Sequence, residues 1–91
     1  MEKKWTFFTN HSHVLFYLYF HPELPMKDIS INVGITERAV HRIIKELEAV
    51  GVLEIKKNGR RNSYRVNRDI ALRHPIESHR NVGELLEFIA R

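Results

Sequence analysis

The sequence contains no cysteine among its 91 residues, which excludes disulfide bonds, thiolate metal clusters and thiol nucleophiles. It also lacks a long hydrophobic run. The longest run, Val14 to Phe20, is far shorter than the ~20 residues of a membrane-spanning helix. No small-residue cleavage site follows that run. We therefore expect an intracellular, cytoplasmic protein that is neither secreted nor inserted into a membrane.

Motifs of common enzyme classes are missing as well. The chain has no glycine-rich phosphate loop, no G-x-S-x-G or H-E-x-x-H motif, and no carboxylate pair in an obvious pocket. The six histidines lack metal-ligand spacing, since His11 and His13 point in different directions on a helix while His74 and His79 flank a proline. We predict no enzymatic activity, no cofactor and no metal.

The chain is basic, and its charge is unevenly distributed. The net charge is +4, with 43% hydrophobic and 29% charged residues, a composition typical of a small globular domain. From Thr36 to Arg65 there are eight basic and four acidic residues, whereas the remaining seven of each cancel. All of the net charge therefore lies in one segment, which favours a phosphate-bearing partner.

Three helices are predicted before residue 51. Pro22 and Pro25 end the first, Gly34 can adopt the left-handed conformation that ends the second, and Gly51 ends the third. Two helices joined by a short turn with a glycine form a helix-turn-helix unit. The predicted ranges are about His11–Phe20 capped by Thr9 or Asn10, about Met26–Val33, and a third helix capped by Thr36 and running to about Val50.

A β-hairpin is predicted next, around Asn58-Gly59. A two-residue turn there would place Ile55 opposite Asn62. A four-residue loop from Asn58 to Arg61 instead pairs Ile55 with Tyr64 and Leu53 with Val66. We favour the longer loop because it puts the apolar residues on one face, and burial usually decides the register.

The last helix is predicted from a capping box, in which Asn81 and Glu84 have the spacing that lets each cap the other. A connector with little periodicity, residues 68–80, precedes it. The predicted fold is α+β and mostly helical, a three-helix core plus a β-hairpin wing with an additional C-terminal helix. We divide it into residues 1–69, a helix-turn-helix domain with an N-terminal aromatic segment, and residues 70–91, a connector and C-terminal amphipathic helix.

The third helix is strongly amphipathic. On a helical wheel its basic residues fall within about 60° of Arg38, and its apolar residues lie on the other side. Such a helix can bury one face and offer the other to the major groove of DNA, where arginine forms a bidentate pair with guanine. The alternative is an ordinary solvated face. The basic residues are Arg38, His41, Arg42 and Lys45, and the apolar ones are Ala39, Val40, Ile43, Ile44 and Leu47.

The segment "MKDISINVGITERAVHRIIKELEAVGVLEIKKNGRRNSYRV" resembles the winged helix-turn-helix transcriptional regulators of bacteria and archaea, in particular the MarR-like and ArsR-like groups. The resemblance covers about Leu24 to Val66. It implies a dimeric repressor or activator whose third helix reads bases and whose wing contacts the backbone or minor groove. The implied positions are Thr36, Glu37, Arg38, His41, Arg42 and Lys45 on the helix, and Lys56, Lys57, Arg60 and Arg61 on the wing.

The wing cations have two interpretations. Turn tips are often charged because they are exposed to water, but four cations within six residues repel one another unless a polyanion is bound. We favour phosphate contact. Thiolate metal sensing, as in ArsR-like proteins, is excluded by the absence of cysteine, and a small-molecule effector stays open.

The terminal segments carry more apolar surface than a small domain easily covers. We expect a symmetric homodimer, which would space two reading helices about one DNA turn apart. Alternatively, the last helix closes the core of its own chain. The expected interface residues are Trp5, Phe7, Phe8, Val82, Leu85, Leu86 and Ile89.

The sequence thus predicts a transcriptional regulator that binds double-stranded DNA sequence-specifically. The alternative is a winged-helix module for protein-protein or RNA contact.

Overall fold

The computed structural model describes residues 5–59 and 61–90, with Asn58 and Arg61 described by their backbone alone. These residues form three helices, an antiparallel hairpin and a fourth helix, so the predicted fold class is confirmed. The elements are α1 (Asn10–Phe20), α2 (Met26–Val33), α3 (Glu37–Ala49), β1 (Leu53–Asn58), β2 (Arg61–Val66) and α4 (Val82–Ala90).

The chain divides into two compact units, and the division falls between Glu46 and Leu47, inside α3. In the first unit, α1 and α2 pack against each other. Each of the three helices contributes apolar side chains that are almost fully buried. They are Val14, Leu15 and Leu18 of α1, Ile29 and Val33 of α2, and Val40, Ile43 and Ile44 of α3.

Threonine caps begin two of these helices. The hydroxyl of Thr9 accepts from the backbone N–H of Ser12 at 3.4 Å, and the hydroxyl of Thr36 accepts from that of Ala39 at 3.0 Å. The caps satisfy amides that have no partner within the helix. Between α2 and α3, Gly34 has φ 88°, a left-handed conformation that favours glycine. The predicted boundaries therefore hold to within about one residue.

The hairpin belongs to the second unit and has the predicted register. Leu53 lies opposite Val66, and Ile55 lies opposite Tyr64. The strands run one residue further than predicted, because Asn58 also pairs with Arg61. The connecting loop is thus shorter than the predicted four residues, and Gly59 within it has φ 67°.

The connector is more ordered than its lack of periodicity indicated. An isolated β-bridge pairs Ala71 with Asn81, and the Leu72 amide donates to the Arg80 carbonyl at 2.9 Å. The first amides of α4 also donate to this segment. The Val82 amide donates to the Ile70 carbonyl at 2.9 Å, and the Gly83 amide donates to the Arg68 carbonyl at 2.8 Å. These bonds attach α4 to the residues that follow the hairpin.

The capping box of α4 is confirmed. The Glu84 amide donates to Oδ1 of Asn81 at 2.8 Å, and the Asn81 amide donates to Oε1 of Glu84 at 3.0 Å. This backbone hydrogen bond, together with one from Arg80, holds the pKa of Glu84 below its ordinary value of 4.5. Val82 and Leu86 of α4 are buried.

Candidate nucleic-acid interface

The apolar face of α3 is buried as predicted. Val40, Ile43 and Ile44 each expose 3% of their surface or less, and Leu47 is also buried. Ala39, at the edge of this face, is half-buried. A helix whose apolar face is this completely covered presents its other face to the surroundings.

The opposite face of α3 is exposed and carries the predicted basic residues. Arg38, His41, Arg42 and Lys45 all lie at the surface, as do Thr36 and Glu37 at the start of the helix. The Thr36 hydroxyl also accepts from Ala39, so this residue caps the helix whatever else it contacts. Thr36 and the five predicted residues within α3 are therefore positioned where a ligand can reach them.

Carboxylates border the basic face on both sides. At 100° per residue, Glu46 lies roughly 40° beyond Arg42, while Glu48 and Glu37 lie near the opposite edge. All three residues are exposed. Sequence reasoning did not include Glu46 in the site, although its i, i+4 spacing from Arg42 was a usable signal.

Glu46 connects α1 with the basic face of α3. Nε2 of His11 lies 2.6 Å from Oε1 of Glu46, and Nη1 of Arg42 donates to both carboxylate oxygens at 3.4 Å. An ionised carboxylate has no proton to give, so Nε2 of His11 is the donor. This hydrogen bond, and then the nearby Arg42 charge, hold the pKa of Glu46 below its ordinary value of 4.5.

The wing presents its cations on two faces. Lys56 and Lys57 are exposed neighbours on β1, so their side chains point to opposite sides of the hairpin. Arg65, on β2, lies opposite Glu54, with Nη1 3.8 Å from Oε1. Arg60 lies outside the described residues, and the side chain of Arg61 is not described.

The residues predicted for a dimer interface fall into two groups. Trp5 and Phe7 expose 70% and 88% of their surface, with their rings edge to face at 5.0 Å. Val82 and Leu86 are buried within the chain. Phe8, Leu85 and Ile89 are half-buried. Phe88, which sequence reasoning did not select because it lies off the apolar stripe, is 71% exposed.

Metal sites and membrane spans are both absent from residues 5–59 and 61–90. Within those ranges, no three side chains of the kinds that ligate metals lie close enough together to hold an ion. In the same part of the chain, no helix combines the length and the apolar character that crossing a bilayer requires.

The chain matches a known protein family. The family model for the winged helix-turn-helix DNA-binding domain matches residues 9–54, just over half of the chain. The matched segment begins at the cap of α1 and reaches into β1. No curated protein and no solved structure matches the chain.

Proposed function

Since the chain belongs to the winged helix-turn-helix DNA-binding family, we propose that it is a sequence-specific regulator of transcription that binds double-stranded DNA. The observation that carries the proposal is the division of α3, in which Val40, Ile43 and Ile44 are buried while Arg38, Arg42 and Lys45 are exposed. Resemblance to MarR-like regulators, and a cytoplasmic location, remain predictions from the sequence.

Residues near the start of a recognition helix contact base edges in helix-turn-helix proteins. Arg38 is the second residue of α3. At 1.5 Å per residue, Arg42 lies about 6 Å and Lys45 about 10 Å further along the axis. A helix with its side chains is about 10–12 Å in diameter, which fits a major groove ~12 Å wide. In our proposal Arg38 and Arg42 read bases, and Lys45 contacts a phosphate or a base further along.

The wing is proposed to contact the DNA backbone or minor groove. Lys56 and Lys57 point to opposite faces of the hairpin, so we expect one of them to contribute more than the other. A contact to phosphate carries no sequence information directly, and its loss weakens binding to all duplexes by a similar factor. Arg60 and Arg61 remain proposed wing contacts on the strength of the sequence.

Substitution of Arg38 or Arg42 by alanine is expected to relax the preferred DNA sequence. Each bidentate arginine–guanine pair is worth about 1–3 kcal/mol of discrimination against the wrong base. The measurement is selection of bound duplexes from a random pool, followed by comparison of preferences at each position. Arg73→Ala, which removes the same charge from an exposed position in the connector, is the matched control. An equal loss of preference in that variant would contradict the assignment.

We also propose a homodimer, supported by the exposed Trp5 and Phe7 and by the exposed Phe88. Val82 and Leu86 are already covered within one chain, so their part is to hold α4 in place. Light scattering at micromolar concentration should give twice the mass of the chain, and a monomer would contradict the dimer. Half-sites about one helical turn apart in the selected DNA would support it independently.

A further inference from the structure

We propose that Glu46 is a positioning residue for Arg42, which controls the base preference of α3 without touching the DNA. His11 holds the Glu46 carboxylate, and the carboxylate in turn holds the guanidinium of Arg42. The inference rests on the proposed role of α3 in reading DNA.

The three residues form a chain of contacts from one helix to another. His11 belongs to α1, whereas Arg42 and Glu46 lie one turn apart on α3. The 2.6 Å hydrogen bond from His11 to Oε1 fixes the carboxylate from outside its own helix. Arg42 uses one terminal nitrogen, Nη1, for both oxygens. The Nε and Nη2 edge of the guanidinium is thus left for a two-pronged contact with guanine.

His11, on a second helix, makes the ion pair between Arg42 and Glu46 more effective at orienting Arg42. An i, i+4 ion pair on an exposed helix is weak, because both side chains lose rotamer freedom and water competes for them. The Glu46 carboxylate is already held by His11, so it loses less rotamer freedom when it pairs with Arg42. Arg42 can therefore be oriented before DNA arrives, and pre-orientation improves recognition by reducing the ordering that binding requires.

A purely structural role explains the arrangement less well. The side chains of His11, Arg42 and Glu46 are 45%, 60% and 48% exposed, and exposed ion pairs add little to folding stability. A carboxylate beside a DNA-binding face also repels phosphates, which weakens binding to every duplex. Specificity is a difference between affinities. Repulsion that acts on every duplex leaves this difference unchanged, whereas the orientation of a reading arginine increases it.

The test compares Glu46→Gln with the native chain on a duplex selected by the native chain and on a random duplex. Glutamine keeps the size of the side chain and removes its charge. The ratio of the affinities for the selected and the random duplex should fall about threefold. Arg42→Ala should lower the same ratio by about fivefold or more, because it removes the reading side chain itself. Binding to the random duplex should become tighter. Glu48→Gln, which removes the same charge from the same helix, should tighten random binding without changing the preferred bases.

The dependence on Arg42 is tested by a double-mutant cycle. In the Arg42→Ala background, Glu46→Gln should no longer change base preference. The anchor is tested at His11, where His11→Gln retains an N–H donor and should keep the native preference, whereas His11→Ala should lose about as much discrimination as Glu46→Gln. Urea denaturation of each variant checks that the fold is retained.

The outcomes separate this inference from the proposed function. If the native chain binds no duplex at low salt, the proposed function itself fails. If the native chain binds with a clear sequence preference that Glu46→Gln and His11→Ala leave unchanged, the positioning role is wrong and the proposed function stands. An equal effect of Glu46→Gln with and without Arg42 would also overturn the inference, because Glu46 would then act independently of that arginine.

Discussion

Binding to duplex DNA is expected to weaken by about 10³- to 10⁵-fold when the salt concentration rises from about 50 to about 200 mM, which is the loss that corresponds to about six to ten phosphate contacts. The reason is that each cation that neutralises a phosphate releases a condensed counterion, and added salt opposes the release. One chain exposes five described cations of the proposed interface, and a dimer exposes twice that number. They are Arg38, Arg42, Lys45, Lys56 and Lys57.

The slope of the salt dependence also reports the stoichiometry. A plot of log affinity against log salt falls with a slope of about −0.9 for each phosphate that the protein neutralises. The slope divided by about −0.9 gives the number of neutralised phosphates, and a dimer should give about twice the slope of a single chain. Fluorescence anisotropy with a labelled random duplex measures it. Lys56→Ala or Lys57→Ala should make the slope shallower by about one for each phosphate that the removed lysine neutralises.

Three results would count against the binding of duplex DNA as the main activity. If the chain fails to bind a random duplex at about 50 mM salt, a protein-contact module becomes the better explanation of the exposed α3 face. If the affinity is insensitive to salt, the exposed cations do not neutralise phosphates. Tighter binding to single-stranded or duplex RNA than to DNA would instead favour the RNA alternative.

Alanine at Ile43 is expected to lower the free energy of unfolding by about 2–5 kcal/mol. Ile43 exposes 2% of its surface, so truncation removes buried methyl and methylene groups and leaves a cavity. The conservative variant Ile43→Val should cost about 0.5–1.5 kcal/mol. Urea denaturation followed by circular dichroism gives both values. A loss below about 0.5 kcal/mol for Ile43→Ala would show that this face of α3 is not packed in solution.

The neighbouring residue provides the matched comparison. Arg42 precedes Ile43 in α3 but is exposed, so Arg42→Ala should change the free energy of unfolding by no more than about 0.5 kcal/mol. The same substitution should change base preference, which Ile43→Val should not. The two adjacent residues would then have different roles, since Ile43 would support folding and Arg42 would support DNA recognition. A large destabilisation by Arg42→Ala would mean that its contact with Glu46 supports the fold, contrary to the proposed role.

Features decided by a few neighbouring residues could be predicted from the sequence. The Thr36 hydroxyl accepts from the backbone amide of Ala39, three residues further along the chain. Asn81 and Glu84, which are also three residues apart, cap each other. The left-handed backbone at Gly34 is similarly local, because it depends on the missing side chain. The hairpin register follows from the alternation of apolar residues around one turn.

Features that join distant residues needed the tertiary structure. His11 and Glu46 are 35 positions apart, and no period or motif relates them. The bridge between Ala71 and Asn81 closes a segment without periodicity, which is why it was expected to be irregular.

The sequence by itself determined which side of α3 is apolar and which is basic, since both depend on a repeat of 3.6 residues within one helix. It also determined the ends of the helices and the pairing of the hairpin, through local capping and alternation. Only the tertiary structure decided which apolar side chains are covered, as in the buried Leu86 and the exposed Phe88 of α4. It alone placed His11 beside Glu46, because such contacts depend on how separate helices pack.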